Sequence, residues 1–158
     1  MAKTAKEMSK NADEVLVELD KALADEWLAY MQYKIAASLV NAPNVASELE
    51  SVAKEELEHI EELNERIIQL GGKPIADPRQ FHEKTNCGYE VPVENGKKVL
   101  ADAIEAEGCA IKVYQKVAEM TKDTDYVTHQ LMVHIMEEEI DHEQKFSDLK
   151  EWMEKISS

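Results

Sequence analysis

The chain carries the same kind of short word twice, Glu56-Leu-Glu-His59 and Glu139-Ile-Asp-His142, and each copy interrupts an apolar helical stripe. Val52, Leu63, Ile67 and Leu70 share the face of the first word. Met132, Ile135, Phe146, Leu149, Met153 and Ile156 share that of the second, all at multiples of the three- and four-residue helical repeat. An ionised carboxylate left unpaired in a dry core costs several kcal/mol, so such positions are apolar or neutralised by a partner. A divalent cation held between helices is the natural partner.

Two further acids lie in apolar stripes. Glu26 falls between Leu23 and Tyr30 in a stripe that includes Leu19, Tyr33 and Ala37; Glu107 is in line with Leu100, Ala103, Tyr114 and Val117. Glu26 precedes Glu56 by 30 residues and Glu107 precedes Glu139 by 32, so each pair can reach one height on adjacent antiparallel helices. The candidate ligands are therefore Glu26, Glu56, His59, Glu107, Glu139 and His142, arranged about a pseudo-twofold axis. Four carboxylates carry −4 and two neutral imidazoles nothing, a balance that two divalent cations close. Oxygen ligands with one imidazole per ion suit iron or manganese; zinc fits less well.

Charged residues make up 32% of the 158, while Gly and Pro are few and gathered mainly in the middle, the composition of an all-α protein with one domain over 1–158. Helix A is expected over about 12–39 with Asn11 as N-cap, and residues 41–44 break the chain at Pro43. Helix B follows over about 45–70 and stops at Gly71-Gly72. An irregular crossover over about 71–96 holds Pro74, Pro78, Gly88, Pro92 and Asn95-Gly96. Helix C is expected over about 97–120, and Asp123 or Thr124 caps helix D over about 124–156. Two antiparallel hairpins joined by one long crossover make a four-helix bundle in which helices B and C run parallel.

Eighteen basic and thirty-three acidic residues give a net charge of −15, which repels phosphates and anionic lipid heads and argues against direct DNA binding. Lys3, Lys6 and Lys10 form only a thin basic arm in the first residues. No apolar run approaches the roughly 20 residues of a membrane span and no leader-like apolar segment follows Met1, so a soluble, cytoplasmic protein is expected.

Helical phase sorts the neighbours. Glu105 points away from the Glu107 stripe, and Glu58, Glu138 and Asp141 fall one step off theirs, in solvent or just behind the ligands. His82, His129 and His134 are expected at the surface or at subunit contacts. Tyr33 and Tyr114 lie on inward faces, either as plain core or as phenols that bond a ligating carboxylate. Cys109, two residues past Glu107, faces outward, and Cys87 lies in the crossover. The two either meet on the bundle exterior as a redox pair or are unrelated thiols.

Several longer segments carry a resemblance: Asp25-Glu-Trp-Leu-Ala-Tyr-Met-Gln-Tyr33, Gln69-Leu-Gly-Gly-Lys-Pro74, Thr85-Asn-Cys-Gly-Tyr89 and Cys109-Ala-Ile-Lys-Val-Tyr114, together with the two Glu-x-x-His words. Over nearly its whole length the chain resembles the Dps-like branch of the ferritin superfamily, also called thioferritins. The resemblance implies a ferritin-like four-helix bundle, a bacterioferritin-type di-iron centre of two iron ions on the six residues above, and a dodecameric homo-oligomeric cage. It implies oxidation of ferrous iron by hydrogen peroxide or oxygen with storage of the ferric product, and it matches Cys87 and Cys109 to a cysteine pair near the centre. Bacterioferritins bind haem through a Met directly after the helix B ligand; Leu57 stands there, so no haem is expected. A rubrerythrin-like peroxidase is the alternative enzyme, weakened by the lack of a Cys-x-x-Cys pair. An acidic helical assembly protein with a structural metal is the non-catalytic one.

Overall fold

The computed structural model describes residues 2–158 and holds six helices and no strand among them. Four long helices make the bundle: α2 (Ala12–Leu39), α3 (Pro43–Gln69), α5 (Gly96–Thr121) and α6 (Tyr126–Ile156). Two short ones, α1 (Lys3–Met8) and α4 (Arg79–Lys84), lie outside it.

Each helix end has a local chemical cause. Pro43 opens α3 two residues before the expected start, because the first position of a helix needs no N–H. At the other end, Gly72 N–H bonds Ile67 O and Gly71 N–H bonds Ile68 O, a closing turn in which Gly71 takes φ 87°. A side chain at Gly72 would meet Leu16 at 2.7 Å, so the glycine pair also lets this end of α3 approach α2. The cap of α6 is Asp125, not Asp123 or Thr124: its carboxylate accepts from Thr128 N–H at 3.0 Å and from buried Arg66 at 2.9 Å. Only the later residue reaches both donors. Asn11 does stand at the N-cap of α2, but its amide donates to Met120 O across the bundle instead of capping its own helix.

The core follows the stripes. Val15, Leu19, Leu23, Ile60, Leu63, Ile67, Tyr114, Met132 and Ile135 fill one end, and Tyr33, Leu49, Val52, Leu100 and Phe146 fill the other. The polar cluster lies between them. Ile156, read as part of the α6 stripe, is 61% exposed, because the stripe has already left the bundle there. Asn41 N–H bonds Glu94 O where α2 ends and α5 is about to begin, and Gly96 lies against Ala42, Val45 and Met153. The crossover has thus carried the chain back along the bundle, leaving α3 and α5 parallel.

The crossover, read as irregular, and the basic N-terminal arm, for which no helix is expected, are both partly helical. In the crossover, α4 forms because Phe81 has a place to go: it stacks on Trp27 with ring centroids 5.8 Å apart and packs on Ala24 and Leu28. The N-terminal arm forms α1, beside the end of α3, where Ala2 N–H reaches Gln69 O.

Candidate metal centre

Glu26, Glu56, His59, Glu107, Glu139 and His142 all stand in the middle of the bundle and are all buried. One carboxylate or carboxylate–imidazole word per helix, set at matched heights by the hairpins, brings them to one point. Ligand atoms of Glu26, Glu56, His59 and Glu139 lie within 4.8 Å of one another, and so do those of Glu56, Glu107, Glu139 and His142. The two groups overlap in Glu56 and Glu139, one from each Glu-x-x-His word. Glu26 with His59 and Glu107 with His142 remain at opposite ends.

Both imidazoles are oriented alike. His59 Nδ1 faces Glu26 at 3.5 Å, Glu56 at 3.2 Å and Glu139 at 2.9 Å. His142 Nδ1 faces Glu56, Glu107 and Glu139 at 3.4–3.7 Å. Their Nε2 atoms point outward to carboxylates from the opposite hairpin: His59 to Glu138 at 2.6 Å, and His142 to Glu55 at 2.6 Å. An imidazole that donates from Nε2 presents the Nδ1 lone pair inward, the tautomer a metal needs.

Two phenols complete the set with a crossed pairing. Tyr33, seven residues after Glu26, donates to Glu107 at 2.5 Å, and Tyr114, seven residues after Glu107, donates to Glu26. Each lone Glu is thus held by the tyrosine of the other hairpin. Burial and the surrounding carboxylates push both phenols well above their ordinary range, so they remain donors.

The donor set passes a test of fit to cations. Glu56 Oε1, Glu107 Oε2, Glu139 Oε1 and His142 Nδ1 are buried without a hydrogen-bond partner, although they lie at the centre of the cluster. Orphaned buried acceptors are rare because each costs its full desolvation. Burial and neighbouring acids raise Glu56 and Glu107 well above the carboxylate range. Burial also works against charge on Glu26, but the facing His59 imidazole, with the Tyr114 phenol, outweighs it and brings it to about 2. Burial disfavours charged imidazoles, yet the carboxylates around them raise both histidines. The cluster therefore binds protons that divalent cations would displace.

Neighbours follow phase with instructive exceptions. Glu105, Glu58 and Asp141 are exposed, and so is His134; His129 bonds Ala118 O at 2.7 Å. Glu138 is half-buried on His59. Glu55 has no such reading in the sequence, although the doubled acid in Glu55-Glu56-x-x-His59 and Glu138-Glu139-x-x-His142 was a visible signal. Cys87 and Cys109 are joined in a disulfide. Asp25, beside Glu26, has no such reading either: it accepts from Thr85 Oγ1 and Asn86 Nδ2, and from the N–H groups of Asn86 and Cys87, all within 2.9 Å. Burial still pushes its carboxyl above the usual range.

A four-helix bundle with one long crossover that encloses carboxylates and imidazoles from all four helices is the architecture of the ferritin-like proteins. The family described as Ferritin-like domain matches residues 16–156, and the chain belongs to the ferritin superfamily, in its Dps-like branch. The DNA protection during starvation protein of Pyrococcus furiosus is 34% identical over 147 residues, covering 88% of this chain and 78% of that protein. The bacterioferritin of Desulfovibrio desulfuricans is 30% identical over 132 residues, covering 81% and 69%. Among solved structures, a dodecameric thioferritin from Bacteroides fragilis superposes with a TM-score of 0.95 at 32% identity, over 99% of this chain and 97% of that one. Dps from Thermosynechococcus elongatus shares the fold at a TM-score of 0.83 and 23% identity, over 87% and 90%. Among the described residues no helix is long and apolar enough to cross a membrane.

Proposed function

We propose that the chain oxidises ferrous iron at the six-residue centre, with hydrogen peroxide or dioxygen as acceptor, and stores the ferric product inside a hollow homo-oligomer. The observation that carries this reading is the overlap of two four-residue clusters in Glu56 and Glu139. Two ions bound side by side supply one electron each, so one peroxide is reduced without a one-electron fragment leaving. In balance, two Fe(II), one hydrogen peroxide and two protons give two Fe(III) and two waters.

The protein's part is positional. Glu56 and Glu139 face both ion positions; Glu26 with His59 and Glu107 with His142 face one each. Tyr33 and Tyr114 fix the lone carboxylates, and Glu138 and Glu55 fix the imidazoles. The apolar ends of the bundle keep bulk water from the charges. Manganese or zinc would meet the same donors, but only a redox-active ion completes the reaction.

A dodecameric cage fits the likeness to the Bacteroides fragilis thioferritin, described as dodecameric. Exposed Val91, Tyr126, Val127 and Trp152 offer apolar area that assembly would cover. The net charge of −15 favours attraction of ferrous iron over DNA phosphates, so any protection of DNA comes from removal of peroxide. A cytoplasmic location goes with this reading.

Anaerobic loading with Fe(II) followed by peroxide titration tests it. One peroxide consumed per two Fe(II), with an iron core inside a dodecamer, is the expected result. Turnover without a core would favour the peroxidase, and no oxidation would refute both.

A further inference from the structure

On the side of the cluster between α2 and α5 the bundle is not sealed. A narrow pocket descends there to Glu26, Glu56, Glu107 and Glu139. Three alanines put small side chains along its wall, Ala29 from α2 and Ala106 and Ala110 on either side of Glu107 on α5, while Asp25, Gln32 and Tyr33 of α2 complete the lining. Its free volume is about 20 Å³, room for one water-sized molecule. Buried carboxylate oxygens without hydrogen-bond partners, Glu56 Oε1, Glu107 Oε2 and Glu139 Oε1, belong to the residues at its floor.

The crossover roofs this pocket with Cys87 and Gly88, and the roof is fastened to both walls. On the α2 side Asp25 takes four hydrogen bonds from Thr85, Asn86 and Cys87, and Gln32 accepts from Glu90 N–H at 3.0 Å. On the α5 side the fastening is covalent, the Cys87–Cys109 disulfide, with Cys109 on α5 next to the lining residue Ala110 and itself behind the wall. Gly88 takes φ 74°, a left-handed conformation that lets the chain turn directly after the bridge. The roof is thus held by hydrogen bonds to Asp25 and Gln32 on one side and by a disulfide on the other.

We propose that this pocket is the oxidant's route to the metal centre, that it admits hydrogen peroxide or dioxygen and rejects alkyl hydroperoxides, and that the Cys87–Cys109 disulfide holds it to that size. The inference rests on the function proposed above. Hydrogen peroxide adds one oxygen to the size of water, whereas tert-butyl hydroperoxide adds a branched four-carbon body too large for a tethered pocket of about 20 Å³. Reduction by a dithiol transfers two electrons and two protons to the bridge, giving two cysteine thiols and a dithiol disulfide. The roof then keeps its hold on Asp25 and loses its hold on α5, so the opening widens.

Stopped-flow oxidation of Fe(II), loaded anaerobically at two ions per subunit, tests this on the intact assembly with hydrogen peroxide and tert-butyl hydroperoxide in parallel. The reading variable is the ratio of the two rates, since the peroxides differ in intrinsic reactivity. The ratio is expected to fall by about tenfold or more, the scale on which apolar pockets discriminate size, after dithiol treatment and removal of excess dithiol. The Cys87→Ser/Cys109→Ser double variant is expected to show the same fall without any reductant. Ala106→Leu is expected to slow oxidation by hydrogen peroxide while Co(II) binding stays at two per subunit. An unchanged ratio in both the reduced protein and the double variant overturns the proposal. Failure of the unmodified protein to bind two Co(II) overturns the function on which it rests, and the proposal with it.

Discussion

His59 and His142 show how a single residue's two nitrogens can join the two halves of a bundle. Each turns Nδ1 inward to carboxylates and Nε2 outward to an acid of the other hairpin, Glu138 or Glu55. Glu138→Gln is expected to weaken binding of Co(II) at the His59 end by roughly 10–100-fold, measured by calorimetric titration, and to leave helix content unchanged. Glu107→Ala is expected to lower Fe(II) oxidation at least about 100-fold by removing a ligand, whereas Glu105→Ala, two residues away on the exposed side, leaves it nearly intact. The opposite result would refute the phase assignment on α5. The convergence of the six residues was legible in the sequence because each is a carboxylate or imidazole in an apolar stripe, where a polar group is costly without a partner. The roles of Glu55 and Asp25 were not: a doubled acid marks the position, but a residue one step off a stripe looks solvated until the neighbouring element is in place. The crossed pairing of Tyr33 with Glu107 and Tyr114 with Glu26 likewise depends on how the hairpins face each other.

At the scale of elements, the end of α3 and the start of α6 are one construction. Arg66 donates to Thr128 Oγ1 at 2.8 Å and to Asp125 at 2.9 Å, so a guanidinium from α3 neutralises the cap of α6. Removing one partner strands the other charge in a buried place, and Arg66→Met is expected to destabilise the fold by about 3–5 kcal/mol, read by chemical denaturation. Burial raises the Asp125 carboxyl, but bonds from Thr128 and the charge of Arg66 outweigh it and hold the group below its ordinary 3.8. Its stabilising contribution is therefore complete above the unfolded value of 3.8 and is lost as pH falls through the lower folded value. In Arg66→Met that acid-side loss is expected to begin at higher pH. The long helices and the long crossover could be read from periodicity and from Gly and Pro. The six-residue helices α1 and α4 could not, because so short a segment shows no period and forms only where a tertiary contact such as Phe81 on Trp27 rewards it.

For the whole molecule, the bundle places two apolar ends around a polar middle and closes one side of that middle with a tethered crossover. The apolar ends supply the stability that lets four acids and two imidazoles be buried together, and the connectivity makes the two halves near-equivalent. The sequence pointed to this architecture through two helical hairpins joined by a long crossover, and the paired spacings, Glu26 to Glu56 and Glu107 to Glu139, agree with it. On the function proposed above, this middle binds two metal ions side by side. Crystals loaded anaerobically with Fe(II) and measured across the iron absorption edge test it most directly. Two anomalous peaks per subunit are predicted, one among Glu26, Glu56, His59 and Glu139 and one among Glu56, Glu107, Glu139 and His142. A single peak, or none within the cluster, would contradict the account.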